Sequence, residues 1–362
     1  MAGRSRKSVG AWPGRKIRLG ETVDLSLTAS KSYSGAAIRL PVTVWRGEKA
    51  GPAVFIAAAV HGDEINGTGT IRHLIQERPF DLVAGSLVLV PVVNILGFEH
   101  LSRYSPDRRD LNRAFPGSSK GSVTSRLADV FFRNIVRRCD YGIDLHSAAI
   151  RRTNYPNTRA DMNQEATARL ATLFGAEIIL NTPGPVGSLR RAAVKAGCAT
   201  MTLEAGEVWK VEPGVVEYTL RGIRNVLVGL KMIEGEVVEP PFRVVSEETK
   251  WIRAEKGGFL KFHVRPGETV QEGQAIATNA TLAGKDQSVI LAPREGVILG
   301  MTTMPAVAPG DAVAHLAFPS ETAFKKMSQV IGKLPEDSLL ARLQDDLATN
   351  VLVSDLDDME GD

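Results

Sequence analysis

The sequence predicts an α/β fold, a sheet covered by helices on both faces, followed by a small C-terminal all-β barrel or sandwich. Two observations predict the first part. Strand-like and helix-like segments alternate between about residues 50 and 240, and the strand-like ones are near-continuous apolar runs, as expected where both sheet faces are buried. A third observation predicts the second part. The texture changes at Glu239-Pro-Pro-Phe242, beyond which short strand-like runs are separated by Gly and Pro turns.

Residues 1–50 read as a basic tail followed by strands at 23–27 and 38–45, where apolar and polar positions alternate. Residues 47–52 form a turn-rich break. Strands are expected at 53–60, 86–93, 141–145, 177–180 and 199–203. Helices are expected between them at 67–76, 123–138, 161–174, 188–196 and 215–233. These make one domain, 51–240. Residues 241–320 form the small β domain, with turn signals roughly 8–12 residues apart. A tail, 321–362, carries Leu339, Leu340, Leu343 and Leu347 at helical spacing and ends in an acidic run from Asp355.

A chain of 362 residues can bury more than one core, and 43% apolar with 23% charged residues is the composition of ordinary globular proteins. The net charge of +3 is unevenly spread: Arg4, Arg6, Lys7, Arg15, Lys16 and Arg18 lie at one end, the acidic run at the other. Neither end interleaves aromatic residues with its charges, so no nucleic-acid partner is expected and both read as solvated tails. Cys139 and Cys198 make neither a disulfide framework nor a Cys-x-x-Cys metal site. No apolar stretch approaches the roughly 18 residues of a membrane span, and the N-terminus lacks the apolar core of a secretory signal. The expectation is a cytoplasmic protein with no membrane partner; a homo-oligomer stays open.

The chemistry-bearing residues cluster at strand ends. The apolar run 54–60 stops abruptly at His61-Gly-Asp-Glu64, which offers an imidazole and a carboxylate three residues apart. His146 ends the run 141–145, and Glu204 ends the run 199–203. All four lie just past predicted carboxyl ends of strands, the rim where open α/β sheets bind ligands. His61, Glu64 and His146 supply three zinc-type ligands and leave a fourth position for water, the pattern of a catalytic site. Glu204 would then carry protons.

The loop after the strand near residue 93 holds Arg103, Arg108, Arg109, Asp110, Asn112 and Arg113. It is either a solvated basic loop or an anion site. Asn112 and Arg113 offer the donors that grip a carboxylate. Asp110 could accept the spare N–H of a ligand histidine, and an arginine near the metal would stabilise a developing oxyanion. Asp144 shares a strand face with His146 and either orients it or makes a plain buried hydrogen bond. His73, His100, His263 and His315 have no partner at ligand spacing and are read as structural.

The ordered set His-Gly-Asp-Glu (61–64), Asp-Leu-Asn-Arg-x-Phe-Pro-Gly (110–117), Asp-Leu-His-Ser (144–147) and Thr-Leu-Glu-Ala-Gly (202–206) resembles the succinylglutamate desuccinylase/aspartoacylase family of the zinc carboxypeptidase-like superfamily. The resemblance covers about residues 50–240. It implies a mixed sheet sandwiched by helices with a small β domain after it. It also implies one zinc ion per chain, held by His61, Glu64 and His146. Glu204 would be general base and acid, and Asn112 and Arg113 would hold the substrate carboxylate. Asp110 would support His61, and Arg103 would polarise the carbonyl, a role open also to Arg108 or Arg109.

The segment 144–157, followed by Arg159-Ala-Asp161, resembles bacterial deacylase-like members, including those that deacetylate an N-acetylated diamino acid. Arg152, Asn154 and Tyr155 would line the pocket. The expected activity is removal of the acyl group from a small N-acyl amino acid. A metallocarboxypeptidase is the runner-up. A non-catalytic scaffold is the reading from another class, and it predicts a missing ligand or base where none is missing.

Overall fold

The computed structural model describes residues 9–351 except 13, 33, 285, 349 and 350. Arg4, Arg6, Lys7 and the acidic run from Asp355 lie outside the described residues. One mixed sheet of 13 strands runs through the molecule. Its centre is parallel: Ala199–Gly206, Tyr141–His146, Lys49–Ala58 and Ala84–Val90 lie side by side in that order. Beyond Ala84–Val90 come Ala37–Arg46 and Thr22–Lys31, both antiparallel. Beyond Ala199–Gly206 comes the antiparallel strand Arg152–Ala160.

Alternation along the strands divides the apolar residues between two cores, one on each side of the sheet. Val54, Ile56 and Ala58 pack with Ile71 and Leu74 of the helix Asn66–Glu77 and with Tyr218 of the helix Pro213–Gly229. Ala53, Phe55 and Ala57 pack with Leu127 and Phe131 of Val123–Asn134 and with Leu189 of Leu189–Lys195. This is why the central strands carry apolar residues on both faces. Ser122 and Ser188 cap the latter two helices by accepting backbone N–H groups from Ser125 and Arg191.

The expected strands and helices are present, with shifted edges. The expected break at 47–52 is instead the start of Lys49–Ala58, where the pairing with Ala84–Val90 is irregular between Lys49 and Ala53. The expected helix 161–174 begins at Glu165, and the expected helix 123–138 stops at Asn134 and resumes as a short tight turn, Val136–Arg138. Arg152–Ala160 gave no strand signal. Its sequence, Arg-Thr-Asn-Tyr-Pro-Asn-Thr-Arg-Ala, is polar and contains a proline, yet it pairs on both edges.

The C-terminal strands divide. Gly296–Thr302 hydrogen-bonds to Arg152–Ala160 and carries Ala312–Ala317 and Thr249–Arg253 with it, extending the main sheet. Gln287–Leu291, Ala275–Ala280, Gly258–Phe262 and Ala306–Val307 form a separate antiparallel sheet of four strands. A third core, with Leu260, Phe262, Ile276, Ile298 and Leu316, joins the two. Leu340, Leu343 and Leu347 of the helix Leu339–Ala348 pack into the first core. Among the described residues no helix is long and apolar enough to cross a membrane.

Phe55 shows how tightly the sheet is keyed to its helices. Its ring meets Phe131 edge-on, with centroids 5.9 Å apart, and lies over Gly142, where a Cβ would come within 2.2 Å of it. Phe55→Ala should therefore lower stability by about 3–5 kcal/mol in urea unfolding. Gly142→Ala should cost markedly less in the Phe55→Ala background than in the wild type, since the obstructing ring is gone.

Candidate active site

The three central strands ending near Ala58, His146 and Gly206 run parallel, so their carboxyl ends share one rim. His61 and Glu64 follow the first. Ala59, at φ 50°, turns the chain out of the strand, and the backbone then folds tightly, with Glu64 N–H donating to the His61 carbonyl at 3.2 Å. Gly62 permits this: a Cβ there would lie 2.1 Å from the carbonyl carbon of Gly97. His146 ends the second strand, and Glu204 lies opposite it on the third.

Glu64 stands between the two imidazoles. Its Oε1 lies 2.7 Å from His61 Nδ1 and its Oε2 2.7 Å from His146 Nδ1, while Ser147 N–H donates to Oε2 at 3.2 Å. Each ring is braced on its far side: His61 Nε2 is 3.2 Å from Asp110 Oδ1, and His146 Nε2 is 3.0 Å from Asp144 Oδ2. Ligand atoms of His61, Glu64 and His146 all lie within 4.8 Å of one another, and all three residues are buried. Asp144 thus hydrogen-bonds His146 from behind, a contact shared by both roles open to it.

This donor set fits zinc. With each Nε2 hydrogen directed at an aspartate, a neutral ring turns a lone pair from Nδ1 towards the carboxylate of Glu64. Lone pairs facing each other at 2.7 Å require a proton or a cation among them. Burial opposes the charge on Glu64, but His61 and His146 outweigh it and hold its carboxyl well below the usual range. Burial likewise pulls both imidazoles down, and the neighbouring carboxylates more than reverse it, so both lie above the ordinary histidine value. A divalent cation bound by three such groups satisfies all of them at once, with the aspartates fixing the tautomers.

Around this centre lie polar groups from distant segments. Arg103 Nη1 donates to Glu64 Oε1 at 3.1 Å, and its Nη2 reaches Asp110 Oδ2 at 3.4 Å. Asp110 also caps the short turn Leu111–Arg113, accepting from Asn112 N–H at 2.8 Å. Asn112 Oδ1 accepts from Leu189 N–H at 2.9 Å, which ties the turn to the helix behind it. Arg103, Asn112, Arg113, Arg159, Arg190 and Glu204 line a cavity of about 110 Å³ together with His61 and His146. A second cavity, about 200 Å³, shares Arg103, Arg159 and Glu204 and is otherwise walled by Arg152, Asn154, Trp251 and His315, among others.

Three expected pocket residues are not brought there. Tyr155 is 3% exposed and belongs to the first core, where burial pushes its hydroxyl well above its ordinary pKa. Neighbours on a strand face opposite ways, so Asn154 faces the cavity and Tyr155 cannot. Arg108 and Arg109 sit on a tight turn in which Arg108 N–H donates to Ser105 O and Ser105 N–H to Arg109 O. The turn directs both outward, and neither lines either cavity.

Other residues arrive without having been singled out. Arg190 is 5% exposed, and burial lowers its pKa to about 10; an arginine beside Leu189 on a helix with an apolar face was the available signal. His315, read as structural, stacks on Trp251 at 4.6 Å, with the Arg152 guanidinium 4.5 Å from the same indole ring. Burial, with Arg159 and Arg152 nearby, pushes the His315 imidazole down to about 3, so it is neutral.

Residues 50–230 match the succinylglutamate desuccinylase/aspartoacylase catalytic domain. The chain belongs to that family. The family is one of zinc-dependent deacylases, and the matched span holds the His61–Glu64–His146 cluster. Over 309 residues the chain is 30% identical to the N-alpha-acetyl-L-2,4-diaminobutyric acid deacetylase of Halomonas elongata, covering 81% of this chain and 90% of that protein. The product-bound ectoine utilization protein EutE (DoeB) of Ruegeria pomeroyi superposes with a TM-score of 0.72 at 25% identity, covering 82% of this chain and 95% of that one. A succinylglutamate desuccinylase from Silicibacter sp. TM1040 gives 0.72 at 26% identity, covering 83% and 95%.

Asp144→Asn should leave His146 in position but weaken zinc binding roughly 10–100-fold, measured by competition with a chromophoric chelator. Unchanged affinity would remove Asp144 from the centre.

Proposed function

We propose that this family member is a zinc-dependent amidohydrolase that cleaves the acyl group from a small N-acyl amino acid. One observation carries the reading: the buried His61–Glu64–His146 cluster opens onto a cavity that also holds a carboxylate, Glu204, and a set of arginines. Zinc held by the cluster supplies Lewis acidity towards a carbonyl oxygen and makes water a competent nucleophile near neutral pH.

The chain's own residues do the rest. Arg113 and Arg190, with Asn112, present fixed donors for the carboxylate of the amino-acid half. Arg103, hydrogen-bonded to Glu64 and 3.2 Å from His61 Nδ1, lies beside the metal ligands, where its guanidinium would stabilise a carbonyl oxygen that gains charge. Glu204 accepts a proton from the attacking water and returns it to the leaving amine, which departs neutral. The C-terminal strands wall the second cavity with Trp251 and His315, which favours a small substrate over an extended peptide and weighs against a carboxypeptidase.

The diaminobutyric acid deacetylase named above makes N-acetyl diamino acids the first substrates to try, beside N-acetylaspartate and N-succinylglutamate. The test is release of free amine from this panel before and after chelation, with elemental analysis of the protein. Metal-dependent release is expected; turnover that survives complete zinc removal would sink the reading. Glu204→Gln should retain zinc while kcat falls roughly 10²–10⁴-fold. Arg113→Ala should chiefly raise KM, and the increase should vanish for substrates whose free carboxylate is blocked as an amide.

A further inference from the structure

Glu204 must hold its carboxylate towards the cavity, and two side chains grip it. Asn154 Nδ2 donates to Oε2 at 3.1 Å, and Arg159 Nη1 lies 3.3 Å from Oε1. Both come from the strand Arg152–Ala160, yet they are five residues apart, an odd spacing that in a regular strand faces opposite ways. The pairing with Ala199–Gly206 explains how both reach the same carboxylate. Arg159 is opposite Thr202, Asn157 opposite Glu204, and Asn154 opposite Gly206. Two residues, Tyr155 and Pro156, therefore face the single residue Ala205, which is a β-bulge. Bulges are where a sheet accommodates a proline, which has no N–H to give. The extra residue returns Asn154 to the face that carries Thr202, Glu204 and Gly206.

The opposite edge of the strand finishes the arrangement. Asn154 is paired there with Gly300, where a Cβ would lie 2.6 Å from Asn154 Oδ1. A side chain at 300 would displace the amide that Glu204 depends on.

We propose that Asn154, placed by the Pro156 bulge and by the absence of a side chain at Gly300, is a positioning residue that sets the orientation of Glu204. The proposal rests on the reading of Glu204 as the proton carrier. Asn154 acts through Glu204, to whose Oε2 it donates. It fixes which way the Glu204 lone pairs point, and it links the C-terminal strands to catalysis through Gly300.

The test compares Asn154→Ala and Asn154→Asp, each alone and combined with Glu204→Gln. Asn154→Ala should lower kcat about ten- to hundredfold, the loss of one hydrogen bond to a charged group, with KM within about twofold and zinc content unchanged. Asn154→Asp keeps the shape but sets a second carboxylate against Glu204, so it should be slower than Asn154→Ala; a residue needed only for packing would give the reverse order. In the Glu204→Gln background neither change should matter by more than about twofold. Equal losses in both backgrounds would overturn the proposal. Crystal structures of wild type and Asn154→Ala decide the point without turnover: the Glu204 carboxylate should move or split into conformers, and an unmoved carboxylate refutes the role. If the wild type releases no amine from any substrate, the deacylase reading fails, while the crystallographic comparison still decides on Asn154.

Discussion

The site depends on a single buried carboxylate. Glu64 is 2% exposed and lies between two imidazoles that are themselves buried. An ionised carboxylate in such a place is costly unless it is paired, and the pairing draws in the rest. Each imidazole needs an aspartate behind it, and Arg103 bridges one of those aspartates to Glu64. The flanking turn is shaped to deliver these groups, down to a glycine at 62 that lets two backbones touch. A cluster so dense in negative and neutral donors makes chemical sense around a cation.

The sheet turns this local demand into an architecture. Parallel pairing of Lys49–Ala58, Tyr141–His146 and Ala199–Gly206 aligns their carboxyl ends, so three segments distant in sequence meet without any of them being long. Burial of both faces of these strands fixes their register, because a slip of one residue would exchange the contents of the two cores. The antiparallel strand Arg152–Ala160 adds what the parallel strands lack, side chains that reach across the rim from the C-terminal half. Through it the main sheet continues into the strands that carry Trp251 and His315, so the cavity is walled by both halves of the chain.

Much of this was legible beforehand. The alternation of apolar runs and helix-like stretches announced the layered fold, since burying both faces of a strand favours apolar residues on both. His61, Glu64, His146 and Glu204 were legible because each follows such a run. Arg152–Ala160 was not, because a strand held between two partners by its backbone can be polar and carry Pro156 at a bulge. Asn154 and Tyr155 are both expected in the pocket and only Asn154 faces it, because the alternation cannot be phased on a strand that the pattern does not reveal.

What the sequence determined by itself was the family resemblance, the residue types at the strand ends and the strands that carry them, because hydrophobic periodicity and ligand spacing are local properties. What only the tertiary structure decided was the company each reactive group keeps. Arg159 and Arg190 reach the cavity, Arg108 and Arg109 turn away from it, and His315 is neutral beneath a tryptophan. Those outcomes follow from register, a bulge and burial, and they exist only once segments far apart along the chain are packed against one another.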